Sequence, residues 1–463
     1  MVNIIVELSK YLIITIIIMY TYLCFRIFGY QDAEKKQRML KRQNTLMFML
    51  QLIAFMVLYL EMDDIKILGL YLAQMALFLA TILLYTHIYP RVSRLVVNNM
   101  CMLLCVGLIM QTRLSYSKAM KQFVIAACAI ALSLVIPIII RKCKFLSEWR
   151  KIYAIIGLIS LGVVVVIGQV SYGAMLGFTI AGINIQPSEL LKIVFVFYVA
   201  ASLKVSREFK DIVVTTAIAA FHVLILVVSK DLGAALIIFV VYLVMLYVAT
   251  RQPLYILAGL GAGSVASVVA YYLFGHVRTR VIAWKDPFAV YDSGGYQLAQ
   301  SLFAIGTGGW LGMGLCQGSP EKIPVVKNDF IFSAICEELG GIFAICLILV
   351  CTSFFLMIVT IALKIRNPFY KLIALGLGTE YAFQVFLTIG GATKFIPMTG
   401  VTLPLVSYGG SSVMCTILML AIIQGLYILR EDEDEQIETQ RKETIERRGK
   451  RATPERKRNR QTP

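Results

Sequence analysis

Long apolar runs dominate this chain and limit the folds open to it. Each run is about 20 residues long, the length an α-helix needs to cross a hydrocarbon core of about 30 Å. Hydrophobic residues make up 59% of the sequence and charged residues only 15%, whereas soluble domains are about one quarter charged. Because a helix satisfies its own backbone polar groups in lipid, the sequence predicts an all-α polytopic integral membrane protein.

The apolar runs define about thirteen predicted spans. The first run has no basic region before it and no small-residue cleavage site after it. We therefore expect it to remain as a helix and not to be removed as a signal peptide. The predicted spans are 9–27, 45–61, 67–86, 94–111, 120–140, 152–170, 188–203, 212–228, 232–249, 254–274, 330–362, 371–390 and 404–429.

The loops between the spans alternate in charge. Because basic loops stay in the cytoplasm, we expect the N-terminus outside, the C-terminus inside and the long loop at 275–329 outside. The net charge of +17 then comes from basic loops that set the membrane topology, and it does not indicate nucleic-acid binding. The basic loops are 31–43, 141–151, 204–211 and 364–371, and the loops between them include 62–66 and the nearly uncharged 171–187.

The segment from His276 to Phe332 combines glycines, charges and aromatic side chains outside any apolar run. A loop this long is usually either functional or disordered. Its aromatic content argues against a solvated linker, so we expect it to form the working face of the protein. Its aromatic residues include Trp284, Tyr291, Tyr296, Phe303 and Trp310.

Cysteine and histidine give no sign of a metal site. The ten cysteines are scattered, mostly inside apolar runs, and none forms a CxxC pair. They are best explained as small apolar side chains that pack inside the protein. His87, His222 and His276 are far apart in the sequence, so a zinc site is not predicted.

Four polar clusters lie at the outer ends of predicted spans, where ionisable groups are costly and mark function. They are Gln186–Lys192, Ser229–Gly233, the segment from Asp329 to Glu338, and 390–412. The last cluster is rich in Gly, Pro and Ser and breaks the helix at membrane depth, where irregular backbone must be buried in protein or line a wet cavity. We infer a cavity that opens outward, with lateral access from lipid.

Glu189 and Lys192 are three residues apart and share one helical face, so they can form an ion pair. Two interpretations remain open at this point. The pair can fix helix packing, or it can take part in binding a substrate.

Six motifs resemble the SEDS family of bacterial cell-wall proteins, which includes RodA, FtsW and SpoVE. They follow one another in the family's order and fall between about 94 and 429. This divides the chain into an N-terminal transmembrane module (1–93), a SEDS-like core (94–429) and a charged cytoplasmic tail (430–463), which we expect to be solvated. The motifs are QPSELLK (186–192), DLG (231–233), GYQLAQSLFAIGTGG (295–309), GMGLCQG (312–318), DFIFSAICEELG (329–340) and PMTGVTLPLVSYGGSS (397–412).

The resemblance implies a ten-span core, here preceded by about three extra transmembrane helices to which we assign no role. It also implies a peptidoglycan glycosyltransferase that polymerises lipid II, a disaccharide-pentapeptide on undecaprenyl pyrophosphate. The reaction takes place at the outer face of the cytoplasmic membrane, and the usual partner is a class B penicillin-binding protein. The cellular role, in cell shape, division or sporulation, stays open.

The family's outer loop carries a catalytic Asp at a position that is Val290 in this sequence. The nearest carboxylate is Asp292, two residues later, and Asp286 matches an earlier acidic position of the same pattern. Because that earlier position can be Asn in the family, we favour Asp292 as the base over Asp286. Asp286 is alternatively a turn former ahead of Pro287.

The leaving pyrophosphate needs cations, and Arg suits bidentate phosphate contact. Arg278 and Arg280 open the same loop and are the first candidates, although anchoring at a span end explains them equally well. A divalent cation, Mg²⁺ or Mn²⁺, can also stabilise the leaving pyrophosphate, but the sequence shows no set of residues that would ligate it. The remaining substrate-binding candidates are Glu189, Lys192, Asp329, Lys394 and Ser407.

Two other functions compete with polymerisation. A lipid II flippase would need charged groups through the inner half of the membrane, where the span ends are basic but shallow. A scaffold for a penicillin-binding protein would need no catalytic Asp, in agreement with Val290.

Overall fold

The computed structural model describes residues 2–30, 32–167, 169–171, 174–180, 183–205 and 208–458. Over these ranges the chain is mostly long α-helix. The helices are α1 (Val2–Gly29), α2 (Ala33–Met62), α3 (Ile65–Ile88), α4 (Arg94–Leu114), α5 (Tyr116–Ser133), α6 (Ile136–Lys142), α7 (Arg150–Ile167), α8 (Pro187–Val205), α9 (Phe209–Val228), α10 (Leu232–Thr250), α11 (Pro253–Leu273), α12 (Gly275–Lys285), α13 (Tyr296–Gly308), α14 (Ile331–Lys364), α15 (Pro368–Ala392) and α16 (Gly410–Arg458).

Eleven helices in the described part of the chain are long and apolar enough to cross a membrane, with α5 and α6 counted as one span. The prediction of an all-α polytopic membrane protein is confirmed. The helices α7 and α8 occupy the sixth and seventh predicted spans but are not among the eleven. α8 carries Glu189, Lys192 and Lys204, which make it less apolar than its neighbours.

A small antiparallel sheet joins α7 to α8, where the sequence predicted only an uncharged loop. Its strands are β1 (Gln169–Ser171), β2 (Ala174–Ile180) and β3 (Ile183–Ile185), in the order β1-β2-β3. Thr179 pairs with Asn184 in the β2–β3 register. The sheet is an addition to the helical fold on the face predicted to be outside.

The first three helices pack against the rest of the bundle. α1 lies against α2 and α14, and α2 lies against α4. Buried polar groups join them: the Tyr20 hydroxyl donates to Asn99 Oδ1 at 3.0 Å, and Asn98 Nδ2 donates to Gln43 Oε1 at 3.1 Å. Hydrogen bonds between buried side chains fix relative position, so this module is attached by specific contacts as well as by apolar packing.

The long loop predicted at 275–329 contains helices. It folds into α12, a turn at Tyr291–Gly295 and α13. α13 is docked at its middle, where Ser301 Oγ lies 2.6 Å from Ser333 Oγ and donates to Ala392 O at 2.7 Å. The loop is therefore a structured cap and not an irregular connection.

The Gly-rich stretch after α13 docks on a break in α14. Gly340 has φ 89° and ψ 166°, outside helical values. The carbonyls of Glu337 and Glu338 there accept hydrogen bonds from the backbone N–H groups of Met313 and Gly314, both at 2.9 Å. The kink thus supplies the acceptors that hold the loop against the membrane bundle.

The segment between α15 and α16 is not helical, as its Gly, Pro and Ser content predicted. Ser407 Oγ accepts from the Leu403 N–H at 2.9 Å, and Tyr408 N donates to Lys327 O at 2.7 Å. α16 begins at Gly410, so the predicted last span, 404–429, started too early. The polar groups of this irregular backbone are paired inside the protein, as membrane depth requires.

The acidic start of the C-terminal tail is helical, because α16 continues through it, and some of its carboxylates pair with arginines in or beside the loops between the helices. Arg91 Nη1 lies 2.5 Å from Asp432 Oδ1, and Arg141 Nη2 lies 2.7 Å from Asp432 Oδ2. Arg366 Nη2 lies 3.4 Å from Asp434 Oδ1. Arginines in or beside three loops therefore hold this part of the tail by opposite charge.

Gly312 allows a test of the docked loop. It has φ +76°, and a Cβ there would meet Glu338 O and come within 2.7 Å of Gly340 N. We predict that Gly312→Ala lowers the unfolding free energy by about 2 kcal/mol or more, through left-handed backbone strain and overpacking. Thermal unfolding of the purified full chain in detergent measures this.

The matched control is Gly306→Ala. Gly306 lies in α13 with nothing within 4 Å of a Cβ, so the same substitution should be neutral or stabilise the helix by about 0.5–1 kcal/mol. Equal unfolding temperatures for the two variants would show that the loop does not depend on this close approach.

Candidate functional site

A buried ammonium group lies where α8 meets α15. Lys192 Nζ is 3.1 Å from Glu189 Oε2, 3.7 Å from Glu380 Oε1 and 2.7 Å from Gln384 Oε1. All four residues are buried. The predicted Glu189–Lys192 pair is therefore present, and α15 adds a second carboxylate and an amide to it.

Glu380 and Gln384 were missed by the sequence interpretation. The sequence does contain a signal for them. The two polar residues lie four apart in an apolar span, and ionisable groups at membrane depth are functional candidates by default. Gln384 Nε2 also donates to Thr402 O at 3.0 Å. The cluster around Lys192 thus supports the irregular segment between α15 and α16.

Asp231 joins the outer ends of α8 and α10. It caps α10 by accepting the Ala234 N–H at 3.1 Å. Its other carboxylate oxygen accepts Ser188 Oγ at 2.8 Å and Gln186 Nε2 at 3.3 Å. The predicted clusters QPSELLK and SKDLG therefore form one site, in which Asp231 was noted as part of a motif but not as a site residue.

Arg280 connects α12 to the site that contains Asp231. Its Nη1 donates to Thr399 O at 3.0 Å. Its Nη2 and Asp329 Oδ2 lie 3.3 and 3.7 Å from the position of a Cβ on Gly400. Burial lowers the pKa of Arg280, while Asp329 and Asp231 oppose that change, so the three charges act on one another.

Asp329 precedes α14 and is half-buried beside Arg280. Burial raises the pKa of Asp329 to about 6, against the opposing effect of the Arg280 charge. Loss of water disfavours the ionised carboxylate, and the nearby cation offsets only part of that cost. Asp329 consequently titrates close to neutral pH.

Two hydrogen bonds dock α12 on the irregular segment. Besides Arg280, Trp284 Nε1 donates to Lys394 O at 3.1 Å. Gly233 permits the approach of the segment to α10, because a Cβ there would come within 2.6 Å of Val401 Cγ2 and 3.2 Å of Thr399 O. The Gly of the DLG motif is thus needed for space.

The two candidate bases differ in their surroundings. Asp286 Oδ1 accepts the N–H groups of Phe288 and Ala289, each at 3.1 Å, which is the arrangement of a turn former. Asp292 is exposed and makes no hydrogen bond or ion pair to another residue in the described ranges. Of the two candidates, only Asp292 has a side chain without a partner among the described residues.

The turn that carries Asp292 packs on α12. A Cβ on Gly294 would come within 2.7 Å of Thr279 Cγ2, and one on Gly295 would meet Pro287 O. Tyr291 and Tyr296 stack edge to face with ring centres 5.1 Å apart. The glycines let the turn lie directly against the helix that holds the two candidate arginines.

The other two predicted cations outside the buried cluster, Arg278 and Lys394, have different surroundings. Arg278 is exposed, and its guanidinium reaches only Tyr272 O at 3.4 Å. Lys394 adopts φ +61° and contributes its carbonyl to Trp284. Neither makes an ion pair within the described residues, whereas Arg280 lies beside Asp329.

Ser407 is buried, as Glu189 and Lys192 are. Its hydroxyl donates to Asn328 O and accepts the Leu403 N–H at 2.9 Å, while its carbonyl accepts Gln122 Nε2 at 3.2 Å. These contacts favour a role in holding the irregular segment over a direct contact with substrate.

The described side chains offer no clear set of metal ligands. Across the described ranges no group of three or more His, Cys, Asp or Glu side chains is placed to hold an ion.

Aromatic side chains cover the exposed side of the cap. Phe288 and Phe303 are 52% and 49% exposed, and Trp310 is 69% exposed. The rings of Phe288 and Phe303 lie 5.6 Å apart. Trp310 has an amphipathic ring of the kind that favours the membrane–water interface, and the exposed apolar rings of Phe288 and Phe303 also agree with a cap that lies at the lipid surface.

Comparison with solved structures supports the fold. A chain from a peptidoglycan synthase complex, described for its coordination of polymerization and crosslinking, aligns with a TM-score of 0.62 at 24% identity, over 73% of this chain and 97% of that chain. The rod shape determining protein RodA of Thermus thermophilus aligns with a TM-score of 0.55 at 21% identity, over 72% of this chain and 95% of that chain.

Sequence comparison supplies the family. RodA of Mycobacterium tuberculosis, a peptidoglycan glycosyltransferase, is 32% identical over 381 residues, which are 76% of this chain and 81% of that protein. A probable peptidoglycan glycosyltransferase FtsW of Geobacter sulfurreducens is 35% identical over 275 residues, 56% of this chain and 72% of that protein. A model of the FtsW/RodA/SpoVE family, described as cell cycle proteins, matches residues 93–431. This chain therefore belongs to the FtsW/RodA/SpoVE, or SEDS, family.

Proposed function

We propose that this protein is a peptidoglycan glycosyltransferase that polymerises lipid II at the outer face of the cytoplasmic membrane. The observation that carries the proposal is the assembly of one charged group, Arg280, Asp231 and Asp329, beneath a cap that presents the exposed carboxylate of Asp292. Family membership gives the reaction class, and the geometry supports the residues proposed for each role.

The substrate requires a site that is part lipid and part water. Lipid II has a long apolar tail and a charged, sugar-bearing headgroup. The exposed rings of Phe288, Phe303 and Trp310 suit the region where tail meets headgroup. The polar group under the cap suits the headgroup, so the substrate can enter sideways from the membrane.

Asp292 is the proposed general base. Its carboxylate accepts the proton of a sugar hydroxyl while that oxygen attacks the anomeric carbon of the second substrate. The bond from this carbon to the pyrophosphate oxygen breaks, and the undecaprenyl pyrophosphate leaves with the electron pair. Asp286 is less suited, because its side chain is engaged in the turn that precedes the base.

Arg278 is the proposed main contact of the leaving pyrophosphate. Its guanidinium is exposed and has no carboxylate partner in the part of the chain that the structure describes, so it is available to bind phosphate in bidentate fashion. Lys394 is a second free cation. Arg280, already held by Thr399 and flanked by Asp329, positions α12.

Orientation and partnership complete the proposal. By the positive-inside rule, the basic loops support a C-terminus in the cytoplasm and an N-terminus and a cap outside. A class B penicillin-binding protein is the proposed partner, which would crosslink the glycan strand that this protein makes. The protein from the synthase complex, at 24% identity, supports this pairing by the likeness of its fold.

The two aspartates give the sharpest test of the site. We predict that Asp292→Asn lowers the rate of lipid II polymerisation by about 10²–10⁴-fold, the usual loss for a general base. Asp286→Asn should have a smaller effect, because an amide oxygen still accepts the two turn N–H groups. Glycan strands made by purified variants, with matched protein amounts and thermal unfolding, measure the difference.

Two results would contradict this assignment. Wild-type polymerisation by Asp292→Asn together with an inactive Asp286→Asn would transfer the role to Asp286. Full activity in both variants would exclude both residues. A wild-type protein that moves lipid II across vesicles but makes no strands would support a flippase, and one that does neither would support a scaffold.

Asp329 gives a second test with opposite effects on stability and activity. Its folded pKa of about 6 lies above its ordinary value of 3.8, so the folded state binds the proton more tightly than the unfolded state. Folding stability should therefore rise as the pH falls from 7 toward 4. Asp329→Asn should stabilise the protein at pH 7, by on the order of 1 kcal/mol after discounting for partial exposure, and remove this pH dependence.

Activity should move the other way. If the ionised Asp329 orients Arg280, polymerisation by the wild type should fall as the pH drops through about 6, and Asp329→Asn should be slow at every pH. The exposed Asp63, which makes no ion pair within the described residues, provides the control Asp63→Asn. An acid limb near pH 6 that persists in Asp329→Asn would contradict this role.

A further inference from the structure

A groove lies between α1 and α2, at the end of the N-terminal helices that the basic loops assign to the cytoplasm. Its volume is about 500 Å³. It precedes the region matched by the family, 93–431, and it takes no part in the proposed reaction. Its lining combines cations, aromatic rings and aliphatic side chains.

The cationic lining follows helical spacing. On α2, Lys35, Arg38 and Arg42 are three and four residues apart and share one face. On α1, Arg26 lies between Tyr22 and Tyr30 at intervals of four residues. All of these residues line the groove, so two antiparallel helices direct their basic faces to the same space.

The positive charge is only partly compensated by the protein. Arg26 donates to the hydroxyls of Tyr22 and Tyr30, the latter at 2.7 Å, which orient it without neutralising it. Lys35 is 3.7 Å from Asp32. The side chains of Arg38 and Arg42 make no hydrogen bond or ion pair within the described ranges. The groove therefore favours an anion.

The other half of the lining is apolar. Met19, Leu23, Met39 and Leu46 lie on it. α2 has 30 residues and is about 45 Å long, longer than the hydrocarbon core of about 30 Å. Its first turns consequently extend to headgroup level, where an anionic group and a chain of methylenes meet.

We propose that this groove binds the headgroup of an anionic phospholipid of the cytoplasmic leaflet. The phosphate contacts Arg38 and Arg42, with Arg26 held ready by its two tyrosines. The acyl chains lie along Leu23 and Leu46. Basic pockets between transmembrane helices on the cytoplasmic side are suited to such headgroups, and this gives the extra N-terminal helices a ligand of their own.

A charge-matched pair of variants tests the proposal. Arg38→Gln/Arg42→Gln removes two cations from the groove, and Lys36→Gln/Lys41→Gln removes two from the same turns of α2 without touching its lining. The purified full chain is titrated with phosphatidylglycerol or phosphatidylcholine in mixed micelles. Bound lipid is counted by native mass spectrometry, and unfolding temperature is followed in parallel.

We expect the wild type to retain phosphatidylglycerol and to be stabilised by it, but not by phosphatidylcholine. The arginine variant should bind phosphatidylglycerol roughly tenfold or more weakly, since each cation near an anionic membrane surface contributes several-fold. The lysine control should bind within about twofold of the wild type, because Lys36 and Lys41 do not line the groove and exposed charges at a distance are screened by salt.

Three results would overturn the proposal. Equal losses in the two double variants would mean that net charge, and not the groove, attracts the lipid. Equal retention of phosphatidylcholine would mean that the headgroup is not recognised. Stabilisation of the lipid-free protein by inorganic phosphate to the same extent, with loss of that effect in the arginine variant, would assign the groove to a free anion.

Discussion

The buried ammonium of Lys192 is the constraint on which the outer face depends. An uncompensated charge at that depth costs several kcal/mol, on the order of 3–5 when one partner of a buried pair is removed. Glu189 on its own helix and Glu380 on α15 meet this requirement. Gln384 then carries the contact onward to Thr402, so α8, α15 and the irregular segment are fixed relative to one another.

The cap formed by α12, the turn and α13 rests on that irregular segment. Thr399 and Lys394 offer carbonyls to Arg280 and Trp284 of α12, and the turn bearing Asp292 packs on α12 in turn. A break in regular structure is costly inside a membrane. Here the carbonyls that the break leaves outside any helix accept the hydrogen bonds that hold the cap. The irregular backbone therefore provides an attachment for the cap that helices alone would not.

The sequence predicted the helical fold, the Glu189–Lys192 pair and the break between α15 and α16, because span length, helical spacing and Gly/Pro content are local signals. Contacts between distant segments were beyond it. No local pattern pairs Arg280 with Thr399, or Asp432 with Arg91 and Arg141. Short helices such as α12 and α13 looked like loop because they are too short and too polar for a span.

Polymerisation of lipid II by the purified full-length protein, with and without a class B penicillin-binding protein, tests the central claim most directly. Two variants of α8 belong beside the wild type: Lys192→Met removes the buried ammonium, and Lys204→Met removes an exposed one near the inner end of the same helix. Wild type and Lys204→Met should make glycan strands, whereas Lys192→Met should lose stability and make none. Wild-type strand synthesis by a stably folded Lys192→Met, or no strands from the wild type with its partner, would contradict the account.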